Sequence, residues 1–309
     1  MSKAPELREI PELPEQIRQA ALGGHLVLFV GAGVSRLIGY PSWAELASRV
    51  LKGMRKDVLN YSDLDQLDSI SDPRTRLSIA EIIATENNSS LDLRPYLDTD
   101  SNDKRIYTYL NNIGCVCVTT NYDEELSPCF NQTKNGSTTK ASIRRIFKKE
   151  DFVADHLNTP GTVIHLHGCK SEQSTMIVTT RQYLAHYDDE KVQYFLGELF
   201  RKKTVLFLGY GLEEAEILEH ILRRAKVSDT QTPKRFCLQP FFRSEVSLYM
   251  KLHQYYLKSF GVHLIGFTRD YKDYGQLEDI VKAWAEKIEV RPPALAEDLD
   301  FMEEVFDDT

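Results

Sequence analysis

Four short stretches hold the residues best suited to chemistry: Gly31-Ala32-Gly33-Val34-Ser35, Thr120-Asn121-Tyr122-Asp123, His167-Gly168 and Gly209-Tyr210-Gly211. Each closes a short apolar run that reads as a strand buried on both faces, at residues 26–30, 115–120, 162–167 and 204–208. Two glycines in the first stretch allow backbone conformations and close approaches that a Cβ would block. Bare N–H groups ahead of a helix N-terminus suit an anion such as a pyrophosphate. The second stretch places an amide, which both donates and accepts, beside a carboxylate. The third offers a histidine whose ordinary pKa suits a general base near neutrality.

Each signal has a plainer reading. The dinucleotide fingerprint wants a third glycine where this chain has Arg36, so an ordinary Rossmann dehydrogenase is not indicated. A tight strand-to-helix turn without a ligand is the alternative. Ser35 could be a turn residue, and without a G-x-S-x-G elbow it is not read as a nucleophile. Asn121 could cap a helix after its strand. His165 and His167 are two apart on a strand and are expected to face one side. His167, nearer the carboxyl end and abutting Gly168, is the better catalytic candidate, and His165 reads as core. Cys169 has no activating neighbour in sequence and reads as structural.

The elements that must position these groups follow from periodicity. Residues 1–13 read as an arm and 14–21 as a helix. A second helix starts at Ser42, which has capping-box spacing to Glu45. Residues 57–105 read as a helical insertion beside the sheet, with helices at 77–85 and 103–112. Residues 131–150 are polar, with a turn at Asn135-Gly136. Their basic run, Arg144, Arg145, Lys148 and Lys149, reads as a solvated helix face, or else as a contact for a phosphate or an acidic partner. Residues 179–202 look helical, as do 213–226, 244–260 and 277–288, with strands at 236–242 and 262–267. Residues 291–309 form an acidic tail carrying Phe301, Met302, Val305 and Phe306, flexible alone and suited to docking on another chain. Buried strands alternating with helices imply an α/β fold, a Rossmann-like doubly wound parallel sheet with helical insertions, as one domain over 14–290. Ligands of such sheets bind outside the strands' carboxyl ends at a switch point. The four stretches are therefore expected to converge on one crevice.

Composition narrows the classes. The chain has 309 residues and a formal net charge of −8, which argues against a general electrostatic grip on nucleic acid. No apolar run is long enough for a bilayer and no signal peptide is evident. Five cysteines without a C-x-x-C pair imply reduced thiols in a cytoplasmic protein and no Cys-rich zinc site.

The order GAGVS, TTNYD, LHG, GYGL resembles the SIR2 (sirtuin-like) family, most of all the bacterial branch of anti-phage defence proteins whose SIR2 domains degrade NAD. The resemblance covers roughly residues 15–225 and extends toward 290. It implies that Gly31, Ala32, Gly33 and Ser35 hold the NAD pyrophosphate, with Thr120 at the same cofactor site. Asn121 and Asp123 would sit in the nicotinamide-ribose pocket, His167 would be the catalytic histidine, and Gly209, Tyr210 and Gly211 would border the adenosine half. Deacylating sirtuins carry a cysteine zinc module, which is absent here, and follow GAG-x-S with Pro-Asp-Phe-Arg, where this chain has Tyr40-Pro41-Ser42-Trp43. Their Gln-Asn-Ile-Asp is Thr120-Asn121-Tyr122-Asp123 here. The expectation is hydrolysis of NAD+, as substrate and without zinc, to nicotinamide and ADP-ribose. Asp123 would bond the carboxamide, Asn121 would position water or a ribose hydroxyl, and His167 would serve as base. The resemblance further implies an NAD-depleting effector of abortive infection, homo-oligomeric and restrained by a separate sensor. A HerA-like hexameric ATPase/DNA translocase comes first and an Argonaute-type protein second, with no direct nucleic-acid or membrane contact. An NAD-dependent deacylase and a non-catalytic NAD or ADP-ribose binding module are the alternatives.

Overall fold

The computed structural model describes residues 6–54, 59–99, 101–129, 131–134, 137–140, 143–211 and 233–290. The helix expected at 213–226, the Asn135-Gly136 turn and the acidic tail lie outside the described residues.

Seven strands make one sheet in which every pairing is parallel, in the order β5-β6-β2-β1-β7-β8-β9. They are β1 (Leu26–Val30), β2 (Val116–Thr119), β5 (Arg144–Ile146), β6 (Thr162–His165), β7 (Thr204–Leu208), β8 (Arg235–Phe241) and β9 (Val262–Thr268). A separate antiparallel pair, β3 (Asn131–Lys134) and β4 (Ser137–Lys140), follows β2. From β1 the chain fills one side with β2, β5 and β6 and the other with β7, β8 and β9. The switch point therefore lies between β1 and β7, the strands whose five-residue runs LVLFV and TVLFL are wholly buried.

Helices cover both faces. On one face α1 (Glu15–Leu22), α6 (Arg105–Ile113) and α10 (Gln276–Ala285) bury Ile17, Ile106, Leu110, Ile280 and Trp284 against Leu28, Cys117 and Leu206. On the other, α7 (Thr180–Tyr187), α8 (Glu190–Lys202) and α9 (Val246–Phe260) enclose Phe29, Val118, Ile164, Phe195 and Phe207. The stretch 179–202, expected as one helical region, is two helices. It breaks at Asp188-Asp189, where the Asp189 carboxylate accepts from Lys191 N and caps α8.

Two local expectations are overturned. The glycine stretch is not a loop ahead of a helix at Ser42. A six-residue helix, α2 (Ala32–Leu37), starts inside it, and the helix with the Ser42/Glu45 capping box is the next one, α3 (Trp43–Met54). The basic run is not a helix face either: Arg144 and Arg145 lie on edge strand β5, whose only buried member is Ile146. The insertion holds α4 (Tyr61–Asp68) and α5 (Pro73–Glu86), the latter started by Asp72 as cap and Pro73 at its first position. Its apolar core also takes in α3, Tyr122, Met176 and Val178, so α3 packs with the insertion. Residues 7–11 lie along β9: Thr268 N donates to Arg8 O and Trp284 Nε1 to Pro11 O, which covers a sheet edge.

Candidate active site

The two glycine turns meet across the switch point. Gly31 N donates to Leu208 O at 2.9 Å and Gly33 N to Gly209 O at 2.8 Å. A Cβ on Gly33 would stand 2.7 Å from Gly209 O and 2.9 Å from Gly209 Cα, and Gly209 itself has φ +61°. These glycines are needed because two backbones touch there. The expectation of bare amides is overturned for Gly31 and Gly33, whose N–H groups are spent on carbonyls. Gly33→Ala is expected to destabilise the fold by about 1–3 kcal/mol, since backbone atoms must move on both sides. Denaturant unfolding beside wild type checks this.

Beneath α2 lies a buried polar network. Asn121 Nδ2 donates to Gly31 O (3.0 Å) and to Ser35 Oγ (2.8 Å), and Ser35 Oγ donates to Asp123 Oδ2 (2.6 Å). Tyr107 Oη lies 3.0 Å from Ser35 Oγ. A hydroxyl offers one donor and two acceptor sites, so Ser35 is saturated, with Tyr107 and Asn121 donating and Asp123 accepting. Asp123 Oδ1 accepts from Glu125 N. Both carboxylate oxygens are therefore engaged within the protein. Burial raises the Asp123 pKa, opposed first by the bond from Ser35. Asn121 is oriented by Gly31 O, which can only accept. Its own Oδ1 is buried without a partner among the described residues, an acceptor left for something else. Thr119 Oγ1 donates to Val30 O and accepts from Asn121 N, tying this network to β1.

The two histidines part company. β6 ends at His165, so strand alternation does not extend to His167. His165 Nδ1 lies 3.1 Å from Asn121 O, whereas the turn at 166–167 hands His167 to α7. There Tyr187 Oη lies 2.7 Å from His167 Nε2 and Tyr183 Oη 3.2 Å from its Nδ1. A neutral imidazole has one donor and one acceptor nitrogen, so one tyrosine donates to the ring and the other accepts from it. The ring is fully buried, and burial, with His186 and Arg74 nearby, pushes its pKa well down.

A crevice of about 740 Å³ opens at the switch point, within the range of small-molecule sites. Ala32, Gly33, Thr120, Gly209, Tyr210 and Gly211 line it. Gly31, Ser35, Asn121, Asp123 and His167 do not: they stand behind the wall. Expected convergence is thus partly met, with the glycine turns at the surface and the amide, carboxylate and histidine one layer beneath. Tyr183 joins the layers, lining the crevice while bonding His167, with the Arg74 guanidinium 3.9 Å over its ring. Tyr107, Tyr183, Tyr187 and the crevice arginines escaped sequence reading. Only the i, i+4 spacing of Tyr183 and Tyr187, which puts both on one helix face, could have flagged any of them. Among the described residues no three His, Cys, Asp or Glu side chains gather as a metal-ligand set, and no helix is long and apolar enough to cross a membrane.

Three buried histidines give the fold a pH signature. Burial lowers the pKa of His165, of His167 and of His186, the last to about 4. A group with a depressed histidine pKa takes up its proton in the unfolded chain first, so stability is lost as pH falls from about 6.5 toward 4. Asp123, with its raised pKa, acts in the opposite sense as pH falls. The melting temperature is expected to drop between pH 7 and pH 5, and to drop less in His186→Asn.

A parallel sheet with two glycine turns packed across its switch point defines a Rossmann-like domain. Residues 116–265 of this domain match the family model of the SIR2-like domain. The matched span holds Asn121, Asp123, His167 and Gly209–Gly211. Two curated relatives share the name NAD(+) hydrolase ThsA. That of Enterococcus faecium is 23% identical over 299 residues, covering 89% of this chain. That of Bacillus cereus (strain MSX-D12) is 24% identical over 222 residues, covering 68% of this chain. The chain spans 58% of the first and 42% of the second.

Proposed function

We propose that the chain is an NAD+ glycohydrolase, releasing nicotinamide and ADP-ribose. The observation that supports this reading most is Asn121: both its N–H donors are used within the protein, and its Oδ1 is a buried acceptor with no partner among the described residues, directly under the glycine turn. The similarity to two proteins named NAD(+) hydrolase points the same way. NAD+ lies in the switch-point crevice, its adenosine half toward Gly209, Tyr210 and Gly211 and its nicotinamide ribose toward the ends of β2 and β6. Cleavage develops oxocarbenium character at that ribose, while nicotinamide leaves as a neutral group and needs no strong acid. Asn121 Oδ1 accepts a hydrogen bond from the attacking water and so aims its lone pair. His167, neutral because it is buried, takes the water's proton once Tyr183 yields Nδ1. Asp123 acts as a positioning residue: it holds Ser35, which holds Asn121. This differs from a grip on the carboxamide, the role the resemblance implies: Asp123 does not line the crevice and bonds Ser35 Oγ and Glu125 N behind it.

The proposal extends to biology. NAD depletion serves anti-phage defence in the cytoplasm, and the activity is restrained through homo-oligomerisation and a HerA-like ATPase partner, as the family resemblance implies. Incubation with NAD+, with and without an acetyl-lysine peptide, tests the reaction class. Nicotinamide release without peptide supports the hydrolase, and an obligatory peptide requirement would move the assignment to deacylase.

A further inference from the structure

The crevice needs a grip for the negative charge of a dinucleotide, and the Gly31 and Gly33 amides do not supply it, being bonded to Leu208 O and Gly209 O. Acidic and basic side chains both line the crevice, but they are not equally free. Asp72 spends its carboxylate on Arg74 N and Thr75 N as the cap of α5, and Glu245 accepts from Phe242 N. Arg74 lies over the ring of Tyr183, the residue that bonds His167, and so belongs with that side of the crevice. Two guanidinium groups remain. Arg36, on the exposed side of α2, makes no hydrogen bond or ion pair among the described residues. Arg269, just past β9, is held flat: its Cζ lies 4.0 Å over the Phe242 ring and 5.1 Å from the Tyr274 centroid. Among the described residues its one ion pair is long, 3.7 Å to Asp273, and its Nε is buried without a hydrogen-bond partner. α2 packs beside the turn at Asp273–Gly275 that carries Tyr274, so the two arginines belong to one end of the crevice.

We propose that Arg36 and Arg269 form the phosphate grip of this crevice and decide which phosphorylated adenosine ligands it takes. The inference rests on the reading of the crevice as a dinucleotide site. A guanidinium braced by aromatic faces presents its donor fork with little rotamer freedom left to lose, which suits two oxygens of one phosphate. Arg36 supplies a second, solvent-exposed charge at the same end of the crevice. The phosphate chemistry has two sources in such ligands, the bridging pyrophosphate and a 2′-phosphate on the adenosine ribose.

Calorimetric titration of the full chain with ADP, adenosine, NAD and NADP tests the grip on wild type, Arg36→Gln, Arg269→Gln and Arg269→Lys. Arg269→Gln is expected to weaken ADP about tenfold or more, the usual scale for losing a charged hydrogen bond, while leaving adenosine unchanged. Arg269→Lys is expected to recover only part of the loss. Arg36→Gln is exposed and keeps the fold, so its loss of ADP affinity is readable even if Arg269→Gln is unstable. An equal loss for NAD and NADP assigns the grip to the pyrophosphate, and a larger loss for NADP assigns it to the 2′-phosphate. Wild-type affinity for ADP in both glutamine variants overturns the inference. Because ADP carries no nicotinamide, these bindings are read independently of hydrolysis: a grip that holds in a protein that leaves NAD intact would sink the proposed reaction and not the grip.

Discussion

Asn121→Ala is expected to stop nicotinamide release, lowering kcat by about a hundredfold or more, the scale of a misplaced reacting group. Two effects combine. The acceptor Oδ1, the buried atom left for the attacking water, disappears. So do the donors to Gly31 O and Ser35 Oγ, which leaves that carbonyl and the Ser35–Asp123–Tyr107 network without their common partner. Asn121→Asp is not expected to rescue activity. It restores an acceptor but presents an oxygen to the Gly31 carbonyl and sets a second carboxylate beside Asp123. NAD affinity, measured by titration, is expected to fall much less than kcat in the alanine variant, because Asn121 stands behind the crevice wall.

His167→Ala is expected to cost a comparable amount, about 10²–10⁴-fold in kcat, the range for removing a positioned base. The structure adds a condition to this histidine that a free base would not have. Both ring nitrogens are taken by tyrosine hydroxyls, and the ring is sealed from the crevice by Tyr183. Its depressed pKa keeps it neutral through the physiological range, so the base form is present at neutral pH without any titration near 6.5. The pH–rate profile of the wild-type chain should therefore lack an inflection at the ordinary histidine pKa. Turnover that persists at wild-type level in His167→Ala would remove it from the mechanism.

The sequence made some of this legible and not the rest, for physical reasons. β1 and β7 could be read because strands buried on both faces are continuous apolar runs, and the α3 start because a capping box is local chemistry between Ser42 and Glu45. The start of α2 could not. Gly-Ala-Gly has poor intrinsic helix propensity, and what sets that backbone is its contact with Gly209, far along the chain. Arg144 and Arg145 sit on a three-residue edge strand, too short for alternation to show against a basic run. The four chemical stretches were found at the strand ends, but their layering was not. It depends on Tyr183 and Tyr187, which in sequence are two apolar helix positions and in the fold close over a histidine 16 and 20 residues earlier.

Quantifying nicotinamide and ADP-ribose released from NAD+ by the purified chain, alone and assembled with its candidate ATPase, tests the central claim most directly. Asn121→Ala and His167→Ala are run beside it. Stoichiometric nicotinamide and ADP-ribose from the wild-type chain, abolished by both substitutions, is the expected result. NAD+ that binds measurably yet remains intact in every assembly would contradict it and leave a binding module in place of an enzyme.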